Sequence, residues 1–110
     1  MTTALHADAE IASQPQIWRQ VADFAPSVFG KLPQKGERVA VVGCGSSWFM
    51  SMAYASLREA AGHGETDVYA GSEFNYDRKY DRIVSISRSG TTTEIVELLG
   101  KVKTPSVILT

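Results

Sequence analysis

The chain has 110 residues, 44% of them hydrophobic and 21% charged, with a formal net charge of -1. That balance belongs to an ordinary globular chain with material for one modest domain, and near-neutrality gives no support for a nucleic-acid surface or an anionic membrane surface. No apolar run reaches the length of a membrane span, the N-terminus lacks a basic-then-apolar signal pattern, and the lone Cys44 excludes an intrachain disulfide, so a cytoplasmic location is expected.

In chain order, residues 7–12 read as a short helix, and Pro15 suits the first turn of a second one. Trp18, Val21, Ala22 and Ala25 share a face of that second helix, with Trp18 expected to pack, and Pro26 ends or kinks it. This N-terminal helical segment takes residues 1–34. Residues 38–42 form an almost continuous apolar strand, the kind buried on both faces of a parallel sheet. After Gly43-Cys44-Gly45-Ser46-Ser47, the residues Phe49, Met52, Ala53, Leu57 and Ala60 mark a helix that Gly62-His63-Gly64 stops. Residues 67–70 read as a second strand and 82–87 as a third. Ile95, Leu98, Leu99 and Val102 then recur at helical spacing, until Thr104-Pro105 gives way to a fourth strand from Ser106.

This alternation predicts an α/β fold over 35–110, a three-layer αβα sandwich on a parallel sheet with right-handed crossovers. In the flavodoxin-like strand order 2-1-3-4-5, the carboxyl ends of strands one and three flank the switch point where open α/β sheets bind ligands. A sheet of three or four strands is thin for such a fold, so these residues are expected to be the N-terminal part of a longer polypeptide, cut after the start of its fourth strand.

Both predicted switch-point turns are rich in hydroxyls. One is Gly43-Cys44-Gly45-Ser46-Ser47, and the other is Ser87-Arg88-Ser89-Gly90-Thr91-Thr92. Helix N-termini expose unpaired N–H groups with partial positive charge, and Ser and Thr add short donors, a combination suited to phosphate. Gly90 allows close backbone approach. The plain alternative is capping, with Ser46 or Ser47 on one helix and Thr91 or Thr92 on the other. Gly43-x-Gly45 also hints at a dinucleotide turn, but Trp48 stands where that fingerprint wants its third glycine. Cys44 reads as a small packed residue at a strand end, Glu73 as a loop or interface carboxylate, and Glu94 as a first-turn carboxylate favoured by the helix dipole. His6 and His63 lack ligand spacing, so no metal and no organic cofactor is expected.

Four stretches, Glu10-Ile11-Ala12-Ser13-Gln14-Pro15, Gly43-Cys44-Gly45-Ser46-Ser47-Trp48, Ala70-Gly71-Ser72-Glu73-Phe74 and Ser87-Arg88-Ser89-Gly90-Thr91-Thr92, carry a resemblance. In order and spacing they resemble the sugar isomerase (SIS) phosphosugar-binding domain family. The closest likeness is to the isomerase half of glucosamine-6-phosphate synthases and relatives without a glutaminase domain. The resemblance implies that Ser47, Ser87, Arg88, Ser89 and Thr92 hold a phosphate and that Ser46 touches the sugar. At Arg88 the synthases carry an uncharged amide side chain. The chain opens Met1-Thr2-Thr3, without the nucleophilic cysteine that a glutaminase half needs.

The implied function is aldose–ketose isomerisation, or amino-sugar-6-phosphate deamination or deglycation, on hexose 6-phosphates. The implied form is a homodimer, without nucleic-acid or membrane partners. The acid–base residues of the resembled enzymes fall beyond Thr110, so no catalytic residue is assigned. A non-catalytic module that senses sugar phosphates is the alternative.

Overall fold

Strand β1 (Val39–Gly43) is fully buried inside the sheet, and its run of β-branched residues explains why. A computed structural model of the chain describes residues 2–89 and 92–110, with side chains from residue 8 onward. After β1 come helix α2 (Ser46–Ala60), strand β2 (Thr66–Ala70), a 3-10 turn at Gly71–Glu73, strand β3 (Arg82–Ile86), helix α3 (Thr93–Lys101) and strand β4 (Ser106–Leu109). The four strands are parallel throughout, in the order β2-β1-β3-β4. The fold is α/β, and the four strands follow the first four places of the 2-1-3-4-5 order assumed from the sequence.

Alternation along β1 divides the core between two faces. Ala40 and Val42 cluster with Ile83, Phe74, Ile95 and Leu98, the last two from α3. Val39 and Val41 cluster with Val84, and Tyr54 of α2 packs there. The two helices therefore serve opposite faces of the sheet. Ile95 and Leu98 are fully buried, and each such side chain stabilises by about 1.5–3 kcal/mol.

The amino ends of the strands are held by charge. Arg82 pairs with Glu37 at 3.1 Å, Arg78 with Asp67 at 3.0 Å, and Arg38 with Glu65. A hydrogen bond from the Gln34 amide, with the Arg82 guanidinium beside it, holds the Glu37 carboxyl below the usual carboxylate range. Arg58, buried in the last turn of α2, donates to Thr66 Oγ1 at 2.9 Å and to the carbonyls of Gln34 and Gly64 at 2.9 and 3.2 Å.

Contacts divide the chain into two units, Met1–Lys31 and Leu32–Thr110. In the first unit, helix α1 (Thr2–Phe24) runs into a 3-10 turn at Ala25–Lys31. The break expected before Pro15 is absent, and Pro15 lies inside one continuous helix. Proline donates no amide, so the Ile11 carbonyl lacks its usual partner, yet the fixed φ of proline matches helical backbone. Trp18, expected to pack, is 65% exposed, beside exposed Ile17, Val21 and Phe24. Among the described residues, no helix is long and apolar enough to cross a membrane.

Ser85, in the middle of β3, is fully buried and its hydroxyl has no hydrogen-bond partner among the described atoms. An unsatisfied buried hydroxyl costs free energy that a methyl does not. Ser85→Ala is therefore expected to raise stability by about 1 kcal/mol in urea unfolding. A lower midpoint would show that the hydroxyl has a partner in solution.

Candidate functional site

The pairing of β1 with β3 brings the two hydroxyl-rich turns to one edge of the sheet. Gly43 is in register with Ile86, so both strands end at the same level, and adjacent strands lie about 4.8 Å apart. The chain then leaves β1 into α2 and β3 toward α3, on opposite faces.

Two glycines shape the first turn. A Cβ on Gly43 would sit 2.5 Å from the Ser47 carbonyl oxygen and 2.6 Å from Ser51 Oγ, so α2 starts directly against the strand end. Gly45 takes φ +61°, the left-handed region that favours glycine, and is the N-cap of α2. No side chain caps α2, and the N-cap Thr92 makes no side-chain cap bond to α3. The capping alternative for Ser46, Ser47 and Thr92 is thus not what the structure shows. Ser46 and Ser47 are first-turn residues of α2 instead. Gly90 and Thr91, read from sequence as the close-approach glycine and a candidate cap, lie outside the described residues.

A cleft of about 400 Å³ opens at this edge, within the size range of small-molecule pockets. Ser46, Ser47 and Met50 line it from α2, Ile86, Ser87 and Arg88 from the end of β3, and Leu109 and Thr110 from the end of β4. Four of the six residues singled out from sequence, Ser46, Ser47, Ser87 and Arg88, meet there. Thr92 is joined to them indirectly, through a 2.9 Å hydrogen bond between its Oγ1 and Ser87 Oγ. Ser89 is exposed and does not line the cleft.

Met50, Ile86, Leu109 and Thr110 were not foreseen in this cleft. Met50 follows Ser46 by one helical turn and shares its face, a spacing legible in the sequence. Leu109 arrives through its register with Ile86, which only strand pairing reveals.

Backbone donors contribute less here than the sequence implies. The Ser47 amide donates to the Cys44 carbonyl at 3.1 Å, the Trp48 amide to Gly45 at 3.1 Å, and the Ser87 amide to Leu109 at 2.9 Å. These three amides are engaged within the protein; the cleft also carries Arg88 and the serine side chains, of which Ser87 is buried, with the partial positive end of α2 beside them. Arg88 is exposed, and among the described residues no carboxylate pairs with it. Glu94 occupies the first turn of α3, as expected. Half-buried Cys44 packs near it: a Cβ on Gly71 would come within 2.9 Å of Cys44 Sγ and 2.8 Å of Glu94 Cβ. Glu73 is exposed in the 3-10 turn after β2.

A second hollow of about 350 Å³ lies between Pro33, Tyr54, Leu57, Arg58, Ala61 and His63. Its buried Arg58 is engaged by carbonyls and Thr66, and burial pushes the Tyr54 hydroxyl pKa up. Among the described residues, no three His, Cys, Asp or Glu side chains gather to hold a metal ion. No protein-family model and no curated protein matches the chain.

The close seat of α2 at Gly43 gives a direct test of the turn. Gly43→Ala is expected to destabilise by about 2–3 kcal/mol, because the Ser47 carbonyl among its contacts is backbone and cannot turn aside. Gly100→Ala, whose Cβ meets nothing within 4 Å, serves as control and should not destabilise. Equal stability of the two variants in chemical denaturation would contradict the seat.

Proposed function

We propose that this chain contains the N-terminal part of an SIS-type domain, a three-layer αβα sandwich, that binds the phosphate of a hexose 6-phosphate or amino-sugar 6-phosphate. The observation that carries this reading is the meeting of Ser46 and Ser47 with Ser87 and Arg88, from two distant stretches, in one cleft at the strand-order switch. Open α/β sheets bind ligands at that place. The Ser47 hydroxyl offers a donor to phosphate oxygens, Ser87 and Thr92 stand beside it bonded to each other, and Arg88 offers charge. Ser89 completes the phosphate loop from its exposed position, and Ser46 faces the sugar.

In the full-length protein this binding serves aldose–ketose isomerisation, or deamination or deglycation of an amino-sugar 6-phosphate. Such reactions move a proton between neighbouring carbons through an enediol or enamine. Holding the remote phosphate fixes the reacting carbons in place. Two exposures support a larger assembly. Ile108 and Leu109 on β4 are 40% and 39% exposed, which suits further chain covering that side of the sheet. Trp48, Phe49, Met52 and Leu57 of α2 are exposed apolar side chains, which suits a homodimer. A cytoplasmic location suits a phosphosugar ligand. No cofactor enters this reading. The alternative is a non-catalytic module responding to sugar phosphates.

Ligand binding to the native state raises its melting temperature. At ten times Kd the gain is about 1.4 kcal/mol, or about 5–10 °C for a domain of this size. At least one of glucose 6-phosphate, fructose 6-phosphate and glucosamine 6-phosphate is expected to produce such a shift, with glucose inert and the shift diminished in Ser47→Ala. A folded sample that responds to none of the three contradicts the proposal.

A further inference from the structure

We propose that Arg88 makes this cleft selective for the dianionic form of a phosphate monoester, and that its guanidinium sets the affinity. The inference rests on the phosphosugar reading above and adds to it the charge state of the ligand.

Arg88 is the one charged side chain among the described residues that line the cleft. Other arginines of the unit are engaged: Arg38, Arg78 and Arg82 pair with carboxylates, and Arg58 donates to carbonyls and a threonine hydroxyl. No carboxylate among the described residues pairs with Arg88. Arg88 lines the cleft together with Met50, Ile86 and Leu109.

The backbone supports the same assignment. Amides of Ser47, Trp48 and Ser87 already donate to protein carbonyls. Serine hydroxyls donate hydrogen bonds but carry no net charge. Among the described lining residues, the full positive charge that meets a phosphate is that of Arg88. Guanidinium stays protonated across the accessible pH range, whereas a phosphate monoester gains its second negative charge near pH 6. Attraction to Arg88 grows with that second charge, so binding strengthens as pH rises through about 6. Titratable groups on the neighbouring elements, Cys44 after β1, Glu73 after β2 and Glu94 in α3, do not line the cleft. Arg88 variants retain all three, so any contribution from them appears equally in wild type and variant.

The test is calorimetric titration of glucose 6-phosphate, fructose 6-phosphate and glucosamine 6-phosphate at pH 7.5 and 5.5, in wild type, Arg88→Gln and Arg88→Lys. Arg88 is exposed, so both variants should fold with unchanged denaturation midpoints. Wild type is expected to bind more tightly at pH 7.5 than at pH 5.5. Arg88→Gln should weaken binding at pH 7.5 by at least about tenfold and flatten the pH dependence. Arg88→Lys should keep the pH dependence at lower affinity, because lysine retains the charge without the planar fork. Arg88→Gln binding within twofold of wild type, with the same pH dependence, overturns the role of Arg88 and leaves phosphosugar binding intact. Wild type that takes up none of the three sugars overturns both.

Discussion

Everything at the candidate site depends on β1 lying beside β3. The connection from β1 through α2 goes to β2 on one flank, and the connection from β3 through α3 goes to β4 on the other. Two parallel neighbours whose chains depart in opposite directions leave an opening between their carboxyl ends. The register of Gly43 with Ile86 makes that opening level, and the buried valines of β1 prevent the strand from sliding out of it. A slip of one residue would turn Val39 and Val41 to the other face and break both core clusters.

The two edges of the sheet differ in how they treat polar groups. At the amino edge the charges answer one another: Arg82 meets Glu37, Arg38 meets Glu65, and Arg58 is enclosed by carbonyls. These contacts tie the strand beginnings to the turns before them. At the carboxyl edge a cleft is lined by serine hydroxyls and an exposed arginine, with no described carboxylate paired to that arginine. Polar groups satisfied within the fold hold it together, as buried Ser87 does through Thr92, while an exposed side chain such as Arg88 at a cleft is open to a ligand.

Much of this fold was legible in the sequence because local and global signals agree. The β-branched runs before Gly43 and Ser87 become strands, and Ile95 and Leu98 are the buried face of α3. Convergence of Ser46, Ser47, Ser87 and Arg88 followed from strand order. Pro15 was misread, because proline favours a helix start but tolerates an interior position when the rest of the helix compensates. Hydroxyls near helix starts looked like caps, yet Gly45 occupies the N-cap of α2 and pushes both serines into the first turn. The engagement of the Ser47 and Ser87 amides was invisible, since it depends on turn geometry and on pairing with β4. Leu109 entered the cleft for the same reason.

The central claim is that two strand-to-helix turns act together on one phosphorylated ligand. The most direct measurement is amide chemical-shift mapping by NMR while glucosamine 6-phosphate is titrated into the protein. The account predicts that residues 44–48 and 87–93 shift together along one saturable curve, while the amino-edge residues Tyr54 and His63 stay in place. Shifts confined to one turn, or centred on the amino-edge hollow around Arg58, would contradict it.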